Sequence, residues 1–102
     1  MYSARDRVEH AAWLERIEEA AAVIDVGQDA RSAATDLFLS HIPEEERSKR
    51  AVAAASLYAG ALIAGEERSQ QAVADAMDVS RLSVQSRWKP LLEDAGFEPP
   101  TW

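Results

Sequence analysis

The sequence predicts an all-α fold, and three observations lead to that prediction. Alanine, leucine, valine and isoleucine are abundant, whereas only 4 of the 102 residues are glycine. No stretch of useful length alternates apolar and polar residues, as a half-buried strand would. Apolar residues instead recur at steps of three and four, which is the pattern of an amphipathic helix. We therefore expect one helical domain over residues 1–102, a length that can bury a single modest core.

The first two predicted helices are amphipathic. The first runs from about Ser3 to Asp25, and Gly27 is its expected stop. Its inward stripe comprises Ala11, Leu14, Ile17, Ala21 and Ile24. The second is expected from about Asp29 to His41, because the residue before Pro43 avoids the helical region. Its inward residues are Ala30, Ala34, Leu37 and Phe38.

The third predicted helix is apolar on every side. It covers residues 51–64 and has to be enclosed by protein or by lipid. The run is shorter than the roughly 20 residues that span a bilayer and contains Ser56 and Tyr58, so we expect a central core helix and no membrane contact. Its alanines and Gly60 would let neighbouring helices approach closely, and Gly65 is its expected end.

A short helix, a turn and a longer helix are predicted over residues 69–92, at the spacing of a helix-turn-helix. Ser69 and Ser80 are the expected N-caps, and Val79 anchors the turn. The inward residues of the two helices are Val73, Ala74, Met77, Val84, Trp88 and Leu91 or Leu92.

The C-terminal residues interrupt this regular pattern. Pro90 should kink or end the longer helix, or open a further turn. Gly96 is the expected end of that element. The tail, residues 97–102, has two prolines between Phe97 and Trp102, and we expect it to dock as an extended strap, with a loose end that binds a partner as the alternative.

The side of the longer helix that faces away from the predicted core carries residues suited to nucleic acid. They are Arg81, Ser83, Gln85, Ser86, Arg87 and Lys89. Arginine and lysine pair with phosphates or guanine edges, and glutamine can form two hydrogen bonds with adenine in the major groove. Residues 79–92 contain three basic residues and no acid, and so do residues 47–65. These two basic segments are the predicted DNA footprint.

The overall charge opposes that prediction, because a net charge of −7 normally disfavours a polyanionic ligand. The acids are scattered along the chain, and we interpret them as the surface of a halophilic protein from a salt-rich cytoplasm. In molar salt the screening length falls to about 3 Å, so local contacts would decide binding. The N-terminus lacks the apolar run of a signal peptide, which favours a cytoplasmic location.

The sequence contains no pattern that is typical of an enzyme active site. There is no cysteine, and neither His10 nor His41 has a second ligand at metal-binding spacing. The sequence has no glycine-rich phosphate loop, no nucleophile beside a base and no carboxylate pair in a recognisable setting. We expect no catalytic residue, metal, cofactor or small-molecule substrate.

Residues 49–92 resemble the second cyclin-like repeat of transcription initiation factor IIB from archaea and eukaryotes. The resemblance lies in the alanine-rich segment 53–62 with Tyr58, in residues 66–69, in Val73 and Ala74, and in the helix from Val79 to Trp88. It implies a five-helix cyclin-like bundle around the alanine-rich helix, with a C-terminal helix-turn-helix. The first two predicted helices complete the five.

The resemblance also implies a function in transcription. Members of the family use the last helix of this repeat to read promoter DNA beside the TATA-binding protein. The corresponding reading positions are Leu82, Ser83 and Gln85, with Arg81, Arg87 and Lys89 near phosphates. Gln85 stands where the family commonly has arginine, so adenine becomes an option in place of guanine. Only one repeat is present, and the family's zinc ribbon is absent.

Three functions remain open from the sequence. The first is a transcription factor that binds duplex DNA, with the TATA-binding protein as a possible partner. The second is a cyclin-like protein–protein adaptor, which would capture partners even without Arg87 and Lys89. The third is a small dimeric repressor or antitoxin, for which a palindromic target would be diagnostic.

Overall fold

The computed structural model describes residues 8–99, and five helices lie wholly within that range. They are α1 (Ala11–Val23), α2 (Gln28–Ser40), α3 (Glu46–Ile63), α4 (Gln70–Met77) and α5 (Arg81–Asp94). The other four helices all pack against α3. Within residues 8–99 there is no strand, so the predicted all-α class is confirmed. None of the helices described combines the length and apolarity that a bilayer crossing requires.

Helix α3 is the core of the bundle, as predicted. Every residue from 52 to 61 is buried, although the helix begins earlier than the apolar run, at Glu46. Gly60 faces α2 at close range: a Cβ atom on it would lie 2.6 Å from the Ala34 nitrogen and 2.9 Å from the Ala30 carbonyl oxygen. Only glycine allows the two helix backbones to approach so closely.

The inward faces of α1 and α2 follow the prediction with one exception. Ile17, Ala21 and Ile24 are buried, as are all four residues predicted for α2, and Leu14 is partly buried against the core, but Ala11 is exposed. Helix α1 starts at Ala11 because His10 has φ −114° and ψ 19°, outside the helical range. The part of the predicted first helix before Val8 lies outside the described residues.

Gly27 was predicted to stop α1, and this is wrong. Asp25 ends the helix instead by taking a left-handed conformation, with φ 58°, which aspartate tolerates better than most residues. Gly27 is the N-cap of α2, in extended conformation. A Cβ atom there would lie 3.3 Å from a Glu66 carboxylate oxygen, so the close approach of that side chain favours glycine at this position.

Two side chains of the α3–α4 loop bind the α1–α2 loop. Both carboxylate oxygens of Glu66 lie 3.1 Å from the Gly27 nitrogen and accept its hydrogen bond. The guanidinium of Arg68 donates to the carbonyl of Ile24 at 2.8 Å and to that of Asp25 at 2.7 Å. Because these carbonyls follow the end of α1, the arginine also complements the negative end of the helix dipole.

The predicted end of the helix at Pro90 is wrong, because α5 continues through Pro90 to Asp94. Proline removes one backbone hydrogen bond, but Leu91 and Leu92 immediately after it are buried and hold the last turn against the core. Gly96 follows the end of α5 with φ 90°, as expected. Of the predicted strap, Phe97 is 47% exposed, and residues 100–102 lie outside the described part of the chain.

Candidate nucleic-acid interface

The segment from α4 to α5 has both predicted N-caps. The Ser69 hydroxyl accepts a hydrogen bond from the Ala72 nitrogen at 3.0 Å, and the Ser80 hydroxyl accepts one from the Ser83 nitrogen at 3.1 Å. Asp78 takes a left-handed conformation between the helices, and the Val79 nitrogen donates back to the Ala74 carbonyl. These bonds fix the direction in which α5 leaves the turn.

Helix α5 buries the side that the sequence predicted. Val84 and Trp88 are 0% and 2% exposed, and both Leu91 and Leu92 are buried. The Trp88 ring meets Tyr58 of α3 edge-on, with the ring centroids 5.3 Å apart. The polar residues of α5 are therefore left on the outer surface.

One flank of α5 brings three predicted site residues together. Arg81 Nη1 donates to Gln85 Oε1 at 3.1 Å, and it lies 3.5 Å from Oε1 of Gln70 on α4. The Lys89 ammonium lies 5.5 Å from the centre of the Trp88 ring. Gln70, Gln85, Trp88 and Lys89 line a shallow pocket of about 200 Å³ on this flank.

The opposite flank carries Ser86 and Arg87. Both line a groove with Pro90, His41 and Asp94, and there the His41 ring nitrogen Nε2 lies 3.1 Å from a carboxylate oxygen of Asp94. The Ser86 hydroxyl donates to the Ser83 carbonyl at 3.4 Å. Arg87 therefore lies on the opposite flank of α5 from Arg81 and Gln85.

The two remaining predicted positions differ in exposure. Leu82 lies between the flanks and is 67% exposed. Ser83 is only partly exposed, and its hydroxyl lies 3.0 Å from that of Ser80. Ser83 therefore takes part in the cap of α5, and it is less exposed than predicted.

The two predicted basic segments differ in their ion pairs. Within residues 8–99, no carboxylate forms a salt bridge with Arg81, Arg87 or Lys89. In the other segment each basic residue has an acid within 4 Å. The pairs are Arg47 with Glu45, Lys49 with Glu46 and Arg50 with Asp78. Of the two segments, α5 is therefore the one whose basic residues have no carboxylate partner among residues 8–99.

The sequence analysis did not predict that Gln70 and Tyr58 lie next to this site. Burial raises the pKa of the Tyr58 hydroxyl, and a side-chain hydrogen bond with Gln70 opposes that rise. Gln70 therefore contacts Arg81 on the surface and lowers the pKa of a core tyrosine. The sequence signal was weak, because a glutamine in the first turn of a short helix is ordinary.

The described residues offer no cluster of three or more His, Asp or Glu side chains that could hold a metal ion. Both histidines contact other residues of the protein. His10 packs edge-on against Phe38 with ring centroids 6.5 Å apart, and His41 contacts the Leu37 carbonyl and Asp94.

Comparison with known proteins identifies relatives in transcription. Residues 8–94 match the family described as the transcription factor TFIIB repeat. The chain is 41% identical over 49 residues to transcription initiation factor IIB 2 of Thermococcus kodakarensis, and 38% identical over 52 residues to transcription initiation factor IIB of Archaeoglobus fulgidus. It is 37% identical over 54 residues to that of Pyrococcus horikoshii.

These matches cover about half of this chain but only a small part of each relative. They span 48%, 51% and 53% of the chain, and 16%, 16% and 18% of the three relatives. The helical bundle around an alanine-rich helix agrees with the cyclin-like fold that the resemblance implied. Because the family match extends over most of the chain, the protein belongs to the transcription factor TFIIB repeat family.

Proposed function

We propose that this chain is a DNA-binding transcription factor of the TFIIB type whose α5 lies against duplex DNA in the major groove. The proposal rests on one observation: α5 has a buried, apolar side and an outer side that carries basic residues. Its inner side is anchored by Val84 and Trp88, while its outer surface holds Arg81, Arg87 and Lys89, which have no carboxylate partner among residues 8–99. A cation that is not already paired can replace the counterions of a phosphate, which is the main source of affinity for DNA.

The outer residues divide the work in this proposal. Arg87 and Lys89 contact phosphates on the two sides of the helix, because they project from opposite flanks. Gln85 faces the base edges, where its amide can bind adenine through two hydrogen bonds. Leu82, exposed at the centre of the outer surface, is suited to apolar contact with a thymine methyl group. Arg81 lies beside Gln85 and contacts it. Ser86 contacts the DNA backbone, and Ser83 stabilises the start of α5.

The whole chain, residues 1–102, acts as a single domain in this proposal, with residues 69–92 as the reading unit. We also propose that the TATA-binding protein assists binding, since the resemblance implies such a partner. Because the chain matches less than a fifth of each relative's length, recruitment of RNA polymerase is not included.

Gel-shift and fluorescence-anisotropy titrations of the full chain test the proposal, with a randomised duplex pool as the probe, over a range of KCl up to molar concentration. Arg87→Ala and Lys89→Ala should each weaken binding at all sequences and lower the salt slope by about 1. Arg47→Ala is the matched control, because Arg47 is an exposed arginine away from α5 that pairs with Glu45.

Gln85→Ala should change sequence preference with little effect on average affinity. Absence of duplex binding, both alone and with the TATA-binding protein, would exclude the proposal. Dimers or protein complexes that survive loss of Arg87 and Lys89 would then favour the adaptor. A palindromic selected site bound by two copies would favour the dimeric repressor.

A further inference from the structure

Gln70 lies on α4 beside the outer surface of α5. On one side it lies near the hydroxyl of Tyr58, a buried residue of the central helix, whose pKa Gln70 lowers against the rise caused by burial. On the other side its Oε1 faces Arg81 Nη1 at 3.5 Å. The same Arg81 nitrogen donates to Gln85 Oε1 at 3.1 Å, so the contacts form a chain from Gln70 through Arg81 to Gln85.

The direction of each contact fixes the orientation of the Gln85 amide. A guanidinium only donates hydrogen bonds, so Arg81 holds the amide oxygens of both glutamines toward itself. The Gln85 oxygen keeps a second lone pair, and its NH₂ group remains free to donate. One acceptor and one donor side by side are what the N6 amino group and N7 of adenine require in the major groove.

We propose that Gln70 is a positioning residue for base reading: through Arg81 it holds the Gln85 amide in the orientation that matches adenine. This inference rests on the proposed function, and it assigns part of the sequence preference to a residue that does not itself touch a base. Without Gln70, Arg81 loses one of the two side chains that hold it and no longer fixes the Gln85 amide. Gln85 would then have to be ordered at the moment of binding, at an entropic cost that lowers discrimination.

Gln70→Met tests this inference, because methionine keeps the length of the side chain and removes both the acceptor and the donors. Gln71→Met is the matched control: Gln71 is the next residue of α4 and its amide donates to Asp75 at 2.8 Å, away from α5. Gln70→Glu is the rescue variant, because its carboxylate still accepts a hydrogen bond from Arg81.

The measured quantity is a discrimination ratio. A randomised duplex pool selected on the wild-type chain gives a preferred duplex, and the position whose preference Gln85→Ala removes identifies the base that Gln85 reads. The ratio compares the Kd for a duplex changed at that base pair with the Kd for the preferred duplex. Gln70→Met should lower this ratio by about threefold to tenfold, while the Kd for the changed duplex and the salt slope stay as in the wild type.

The two other variants complete the expected pattern. Gln71→Met should retain the wild-type ratio. Gln70→Glu should also retain it, although its added negative charge should raise the Kd for every duplex. In the free protein, the side-chain NH₂ resonance of Gln85 should shift in Gln70→Met and stay in place in Gln71→Met.

A wild-type ratio in Gln70→Met, while Gln85→Ala loses discrimination, would overturn the inference and leave the proposed function intact. An unchanged Gln85 resonance in Gln70→Met would overturn it independently of DNA. If the wild-type chain binds no duplex, the proposed function fails and the inference fails with it.

Discussion

Gly60 determines how closely α2 packs on α3. Alanine is the better helix former by about 1 kcal/mol, so propensity alone favours Gly60→Ala. The added Cβ atom would lie 2.6 Å from a backbone nitrogen, and a packed backbone cannot move aside as the end of a side chain can. We expect Gly60→Ala to lower the free energy of unfolding by about 2 kcal/mol, measured by urea denaturation. A variant as stable as the wild type would mean that α2 moves outward at little cost.

Tyr58 gives the molecule a sensitivity to alkaline pH. Burial raises the pKa of its hydroxyl in the folded state above the ordinary value of 10.0, so the folded chain holds this proton more tightly than the unfolded chain does. The resulting stability is complete below pH 10 and is lost as pH rises through the folded-state pKa.

We therefore expect the free energy of unfolding to fall as pH rises above about 10, and to fall less steeply in Tyr58→Phe. Thermal melts of both proteins between neutral pH and about pH 11 measure this difference. Equal slopes in the two proteins would show that other groups cause the alkaline loss.

At the scale of the elements, Arg68 joins two loops that lie far apart in sequence. Arg68→Ala would remove hydrogen bonds from the carbonyls of Ile24 and Asp25. A partly buried carbonyl without its partner costs about 1 to 3 kcal/mol, so we expect Tm to fall by several degrees. Arg47→Ala is the control, since Arg47 is exposed and should change Tm little. Equal shifts for the two variants would contradict a specific role for Arg68.

The helices themselves could largely be predicted, because their signals are local. Ser69 and Ser80 stand directly before amphipathic segments, and both cap their helices. Gly27 and Pro90 were misjudged because distant contacts decide their roles. Gly27 meets a side chain 39 positions away, and Pro90 is kept in helix by the burial of Leu91 and Leu92.

The candidate site was predictable only in outline. The four-residue step from Val84 to Trp88 and the three-residue step from Trp88 to Leu91 predicted which side of α5 faces outward, since that spacing defines one helical face. Such a pattern does not predict which side chains contact one another. Only the structure reveals that Arg81 contacts Gln70 and Gln85, or that Arg47, Lys49 and Arg50 each lie beside an acid.

At the scale of the whole molecule, the net charge of −7 should make stability depend on salt. Scattered acids repel one another in the compact state, and added salt screens that repulsion. We expect Tm to rise as KCl increases from low to molar concentration. Replacing two exposed acids, Glu15→Gln with Glu44→Gln, should reduce the rise, which separates charge screening from a general effect of salt on burial. Full stability in dilute buffer would contradict the interpretation of a salt-adapted surface.

The division of α5 into a buried side and an outer side has a consequence for protein engineering. The four anchors of the helix are Val84, Trp88, Leu91 and Leu92, and none of them belongs to the proposed reading surface. Exposed surface positions usually tolerate exchange within about 0.5 kcal/mol, so the outer residues can be varied while the scaffold is left alone. A library built at positions 82, 85, 86 and 89 would then sample new recognition properties on one unchanged helical frame.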